Sequence, residues 1–451
     1  MIVKSLGHAS LLVRMGDIKI LMDPWLGNDI LGVCRRFPDP GLLNFELPHP
    51  NYIVLSHHHW DHVHIPTLAA LSKETPIFMP DNKQLKSVME ILGFNTIHIL
   101  RAWDEIELGQ GCRLIAIPSK VPFGEIGVCF IENGNYVVNL VDCVFDGEIM
   151  TKLRRTLESA YSQRFGVCFA PYQSYDEMSV LMRKPSRNIG LLSQQNAQHL
   201  VELDSDVVIP FADGLYYPGN QQMNSMTFLN HPFEFIDLIK EYKPSQSCMV
   251  GVVLDEWYLE DFELKFSRPL GIDTKEVLSL YDDFRSYKPS DFRSLEPCSN
   301  DIESSDICEQ EFKDFLQDFS FSKFPEDVFK KLKNLNMRWQ LILLGKRGAK
   351  NKFVTIDFNL LTVDFDSKVS SGNATFKIGS QLLLDILRSR ELLSVAIQSD
   401  RIELDGDSEE LAYRSLDVLW YLGLDDESRL KKYIPYQARQ SVSVEFVGSL
   451  N

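Results

Sequence analysis

Most of what would mark this 451-residue chain for a common function is missing. None of its eight cysteines forms a C-x-x-C pair, and several lie in apolar strand-like runs, so they read as reduced core residues. Paired Cys-x-His and Cys-x-x-His elements, which would hold a Rieske iron–sulfur cluster, are missing too. There is no P-loop, no G-x-S-x-G and no internal repeat, and Gly109-Gln110-Gly111 lacks the third glycine of a dinucleotide-binding loop. No apolar run approaches the roughly 20 residues that span a bilayer. Met1 to Ser5 enter strand-like sequence without the hydrophobic region of a signal peptide, so a cytoplasmic location is expected. Positive charge is short as well. Lysine and arginine number 46 against 63 acidic residues, a net charge of −17, which argues against nucleic acid or an anionic membrane as partner.

Histidine is scarce and unevenly spread. There are ten, none between His98 and His199 and none from Phe312 onward, yet five fall within His57–His64. The stretch Tyr52-Ile53-Val54-Leu55-Ser56-His57-His58-His59-Trp60-Asp61-His62 begins as an apolar run, which predicts a short buried strand. Its polar half then falls where the strand's carboxyl end opens into a loop, the usual place for a site in an α/β sheet. Alternate residues of such a segment can face one object. His57 and His59 can share a first metal ion, and Asp61 and His62 can reach a second. Imidazole with carboxylate suits zinc or iron, and two ions about 3.5–4 Å apart can activate water or dioxygen. A surface cluster without a task would explain a lone histidine but not an H-x-H-x-D-H pattern at a strand end. His58 and His64 are expected beside the site rather than on the metal.

The pattern resembles the metallo-β-lactamase superfamily. Gly7-His8-Ala9-Ser10 and Asp23-Pro24-Trp25-Leu26 resemble the opening of its lactonase-like branch. Taken with Ile53-Val54-Leu55-Ser56-His57, Pro66-Thr67-Leu68, Asn139-Leu140-Val141-Asp142-Cys143 and Pro210-Phe211 through His231-Pro232, the chain is similar to the CMP-N-acetylneuraminate hydroxylase group over about its first 260 residues. The resemblance implies an αββα sandwich and makes Asp142 the carboxylate that bridges both ions. It also exposes a departure. The hydrolases of the superfamily place a third histidine on the first ion from the loop before the Asn133-Gly134 hairpin. Here that loop is Pro118-Ser119-Lys120-Val121-Pro122-Phe123-Gly124-Glu125-Ile126, and Glu125 is its only carboxylate. A glutamate there shifts preference from zinc towards iron or manganese. The alternative is a solvated Glu125 and a weakly held first ion. His231, just before Pro232 at a helix start, is the candidate for the last ligand of the second ion; only His199, mid-helix, competes. Asp23 either orients a ligating histidine from behind or merely caps a turn.

The rest of the chain predicts an α/β fold: a metallo-β-lactamase-like domain over residues 1–281, an acidic linker over 282–311, and a smaller α+β domain over 312–451. Two N-terminal strands are expected, Ile2–Leu6 and Ile18–Met22, around a Met15-Gly16-Asp17 turn. Pro66 starts a helix, Asp81 caps another, and the last strand of the domain runs from Met249 to Leu254. Three loops (27–50, 171–178 and 211–230) are rich in proline, glycine or aromatic residues and suit a substrate mouth. The tail, similar in order to a sterol-carrier-type domain, is expected to give a helix to about Leu335, then strands and helices including a strand at Ala396–Leu404. It suits an apolar pocket, a lid or a homodimer surface.

Two enzyme classes fit these residues. One is a nonhaem diiron oxygenase hydroxylating a polar small molecule, a sugar or carrier-linked metabolite, with electrons from a separate reductase or ferredoxin. The other is a hydrolase of an ester, lactone or phosphoester that uses a hydroxide between the ions. In either, Asp61 and Asp142 are the carboxylates at the reacting centre, and the ion pair is iron, with zinc or manganese as rivals. A degenerate binding protein is the third reading.

Overall fold

The first 22 residues form three antiparallel strands, not two: β1 (Ile2–Gly7), β2 (Ser10–Met15) and β3 (Ile18–Met22). Ser10–Met15 alternates as well as its neighbours do, and it supplies the strand that the two-strand expectation omitted. The protein is described by a computed structural model. It covers all residues except 31–32, 38–46, 122, 173–179, 185–190, 213, 219–223, 225–230, 272, 286–304, 346–350, 366–371, 400, 425–426 and 441–451. Most of the three expected mouth loops and of the linker therefore lie outside the described residues.

The chain divides into two units. The first holds Met1–Tyr175, Arg187–Tyr287 and Gln437–Asn451; the second holds Asp176–Ser186 and Lys288–Tyr436. After β4 (Asp29–Ile30) and β5 (Cys34–Arg36), the first unit continues through β6 (Tyr52–Val54), β7 (Ile77–Pro80) and β8 (Ile97–Leu100). It adds β9 (Glu105–Gly109), β10 (Cys112–Pro118), β11 (Ile126–Glu132), β12 (Asn135–Asn139), β13 (Phe165–Pro171) and β14 (Val207–Phe211). The short β15 (Leu215–Tyr216) and β16 (Ser247–Cys248) precede a last hairpin, β17 (Glu256–Glu260) and β18 (Glu263–Ser267).

These strands form two main sheets, in the orders β18-β17-β1-β2-β3-β6-β7-β8 and β16-β14-β13-β12-β11-β10-β9. Inward-facing Val3, Leu11, Val13, Ile20 and Trp257 of the first meet Leu114, Val128, Phe130, Val137 and Phe169 of the second in one apolar layer. Helices α1 (Ile65–Ala70) and α2 (Lys83–Ile91) connect strands of the first sheet. Helices α3 (Gly147–Ala160), α4 (Leu191–Leu200) and α5 (Pro232–Tyr242) bury Leu153, Leu157, Ala197, Leu200, Phe235 and Ile239 in the core on the outer side of the second sheet. This is the expected αββα sandwich.

Local expectations fail where apolar runs are short. Asn82, not Asp81, caps α2, its Oδ1 accepting from Leu85 N at 3.0 Å. Met249–Leu254 is a loop, not a strand. Its Val252 N–H is taken by the Asp255 carboxylate at 2.8 Å, and Val252 and Val253 are buried in the loop. The unit closes instead with β17, which pairs with β1, and β18, which takes the edge of the sheet.

In the second unit a five-stranded sheet carries its own core around Trp339, Phe358 and Phe376. The expected linker boundary at 312 falls inside a helix, Ser305–Phe315, because Cys308 and Phe312, four apart, share one buried face of it. Pro325 stands between this segment and the helix Glu326–Asn334, so no single helix reaches Leu335. Ala396–Leu404 also divides, into a helix Leu393–Gln398 and a strand Ile402–Gly406. Similarity to sterol-carrier-type domains rests on element order alone.

Candidate metal centre

The site lies where β3, β6 and β12 end and where the β1–β2 and β10–β11 connections turn. β3 and β6 run parallel, so Asp23 and Ser56 emerge side by side. The Asp23 carboxylate accepts from Ser56 N at 2.8 Å through Oδ1 and from Ser56 Oγ at 2.6 Å through Oδ2. His62 Nδ1 also reaches Oδ2, at 3.0 Å, and Ser56 Oγ lies 2.9 Å from His57 Nδ1. A carboxylate only accepts, which fixes the direction of every proton in this chain. Ser56 Oγ–H is given to Asp23, His57 Nδ1–H to Ser56, and His62 Nδ1–H to Asp23. Both imidazoles are thereby left with Nε2 turned to the site.

The other side of the site is Asp142. Beyond β12, Asn139 Oδ1 accepts from Val141 N at 3.2 Å, Leu140 N–H is given to Phe169 O at 3.0 Å, and Cys143 N–H returns to Leu140 O at 2.9 Å. This turn forces Val141, a β-branched residue, to φ +52°. His8 at φ +50° and Asp23 at φ +41° share the left-handed region, so three strained positions surround one site.

Asp142 Oδ2 stands 3.1 Å from His62 Nε2 and 3.8 Å from His57 Nε2, and the three ligand atoms lie within 4.8 Å of one another. Asp61 Oδ2 lies 3.5 Å from His62 Nε2 and 3.4 Å from His8 Nε2, a second such group. The His59 ring stands 4.5 Å from that of His57, centroid to centroid, and packs on Phe123 at 5.5 Å. The charges answer this geometry. Burial, then His62 and His59, hold His57 well below the usual histidine range, so the ring is neutral. Burial opposes charge on His62 too, but Asp142 and Asp61 outweigh it and hold that ring well above the usual range. A divalent ion would take the place of the proton that His62 holds between the carboxylates.

Glu125 precedes β11, whose Ile126 N–H is given to Ser56 O at 3.1 Å. The carboxyl is buried, and its Oε1 has no hydrogen-bond partner. Burial pushes it up to about 7, with Asp142 adding to the rise. It is not the solvated loop residue of the alternative reading.

Other histidines have structural tasks. His64 caps α1, accepting from Thr67 N at 3.3 Å, and burial lowers it to about 3. His58 pairs with Asn82 at 3.1 Å. His199 contacts Phe145 O at 3.3 Å. His231 is buried at the N-cap of α5, where its Nδ1 accepts from Phe233 N at 3.2 Å. It belongs to neither described group. A neutral ring accepting at Nδ1 carries its proton on Nε2, so ligation through Nε2 requires the proton to cross and the cap bond to open. The residues missed by pattern reading are His8 and Ser56. Each follows a strand end, but only the turn and the proton chain reveal what they face.

Residues 2–212 match the family model described as "Beta-lactamase superfamily domain". The cytidine monophosphate-N-acetylneuraminic acid hydroxylase of Asterias rubens is 25% identical over 267 residues, which cover 55% of this chain and 40% of that protein. A protein from Anaeromyxobacter sp. (strain K) named as a metal-dependent hydrolase is 37% identical over 89 residues, 20% of this chain and 29% of that one. Among solved structures, CmlA from Streptomyces venezuelae, a diiron β-hydroxylase, superposes with a TM-score of 0.38 at 14% identity, over 59% of this chain and 54% of its own. That agreement is too low to bear on the reaction. This chain spans less than half the length of the curated relatives just named.

Proposed function

We propose that this chain, whose residues 2–212 match the beta-lactamase superfamily domain, is a dinuclear-metal oxygenase hydroxylating a polar small molecule. The observation that carries the metal reading is the convergence of His57, His62 and Asp142, two buried imidazoles and a carboxylate, with ligand atoms within 4.8 Å of one another. His57, His59 and Glu125 would hold the first ion and Asp61 and His62 the second, with Asp142 shared by both. His231 joins the second ion only if its cap bond opens.

Two such ions, when bound, activate dioxygen or water between them. The chain's own part is to aim donors and keep them dry. Asp23 sets the tautomer of His62 directly and that of His57 through Ser56, so the fit to metal is prepared before any ion arrives. Glu125 favours iron over zinc, since a hard carboxylate replaces the borderline third imidazole. The relative named as a hydroxylase of a cytidine monophosphate sugar supports a sugar or carrier-linked substrate. Electrons then come from a reductase or ferredoxin outside this sequence.

The hydrolase reading has one observation of its own, the 89-residue match to a protein named as a metal-dependent hydrolase. Competitive loading separates the two. Purified anaerobically with both metals supplied, the chain is expected to retain iron and, once reduced, to consume dioxygen. Glu125→His is expected to exchange iron for zinc. Zinc retention by the unaltered chain, ester or phosphoester cleavage and no oxygen uptake would overturn the oxygenase reading.

A further inference from the structure

The turn between β1 and β2 presents a group for which the ligand assignment above has no task. The register of β1 on β2 shifts between Ser5 and Gly7, a bulge of the kind that re-aims a side chain. Gly7 (φ +95°) and His8 (φ +50°) then take left-handed angles in succession. The buried guanidinium of Arg36 fixes this turn, donating to Leu6 O, Gly27 O and Trp25 O, each at 2.6 Å. The outcome is an imidazole only 6% exposed, with its ring centroid 5.0 Å from that of His62.

Neither ring nitrogen of His8 has a hydrogen-bond partner. A buried imidazole left so is rare without a reason. Its Nε2 is 3.4 Å from Asp61 Oδ2, which is 3.5 Å from His62 Nε2, and all three ligand atoms lie within 4.8 Å of one another. Donors bound to one ion at about 2.0–2.2 Å stand roughly 3–3.6 Å apart. The two spacings from Asp61 Oδ2 to the imidazoles are already those of a shared ion. His62 Nε2 has one lone pair and serves one ion only, and Asp61, the neighbour of both rings, assigns it to the second.

We propose that His8 is a ligand of the second ion through Nε2, which gives that ion two imidazoles, Asp61 and the bridging Asp142. This rests on the dinuclear reading above. It also gives the strained turn a purpose: without the bulge and the left-handed pair, the ring would follow the pleat of β1 away from Asp61.

The test uses two variants chosen for the backbone. Asn tolerates a positive φ and Gly adopts it freely, so His8→Asn and His8→Gly remove the imidazole without adding strain. The whole chain is titrated anaerobically with ferrous ion by calorimetry, and bound metal is counted after dialysis. The unaltered chain is expected to bind two equivalents. Both variants are expected to keep the first and to bind the second at least about 100-fold more weakly, beyond the ~10–100-fold that losing a mere supporting contact costs. Added imidazole is expected to restore the second equivalent in His8→Gly. Two equivalents at unchanged affinity in either variant would overturn the assignment. Fewer than two in the unaltered chain would overturn the dinuclear reading, and His8 as a ligand with it.

Discussion

At the scale of the residue, the site depends most on Asp23, which touches no ion in this account. Its carboxylate accepts three hydrogen bonds, from Ser56 N, Ser56 Oγ and His62 Nδ1, while fully buried. An amide of the same shape cannot accept all three and brings a donor against donors. Asp23→Asn is therefore expected to release the His62 tautomer and weaken metal binding about 10–100-fold. It is also expected to cost about 1–3 kcal/mol of stability, because buried donors lose their acceptor. Metal titration and chemical unfolding read the two effects separately. Unchanged affinity in a well-folded variant would mean that Asp23 only caps a turn.

At the scale of the element, long or repeated patterns were legible and short ones were not. The Asn133-Gly134 turn does join β11 to β12, Pro232 does start a helix capped by His231, and the H-x-H-x-D-H loop does follow a buried strand. Met249–Leu254 misled because an apolar run reports burial, and a side chain can be buried in a loop as well as in a strand. The β17–β18 hairpin was invisible because its partner β1 lies some 250 residues away, and local pattern carries no word of pairing. Ala396–Leu404 joined the end of one element to the start of another across a turn.

On the proposed reading, metal choice turns on the β10–β11 connection, which carries Glu125. A Cβ at Gly124 would lie 2.5 Å from Asp81 O, a backbone atom that cannot step aside. Gly124→Ala is thus expected to push the loop off the Asp81–Asn82 turn and withdraw Glu125 without deleting any ligand. Iron content is expected to fall while zinc can still be loaded. If iron content after anaerobic purification is unaffected, Glu125 is not positioned by this contact.

At the scale of the molecule, the site gathers residues from His8 to Asp142, all within the first unit. Residue chemistry pointed to His57, Asp61 and His62 and family resemblance to Asp142, and these fall in the two described groups; His59 and Glu125, also expected as ligands, fall in neither. His8 was not legible, since a lone histidine in a turn has no spacing to betray it. Division into two units was legible from length, but not that Asp176–Ser186 of the first half belongs to the second unit, where Leu181 and Met182 enter the core. Everything proposed for the site depends on two ions sharing Asp142. Crystals of the anaerobically loaded protein, measured at the iron and zinc absorption edges, test this most directly. The expected result is two anomalous peaks about 3.5–4 Å apart, one against His57 and His59, the other against Asp61 and His62, with Asp142 between. One peak alone, or peaks away from Asp142, would contradict it.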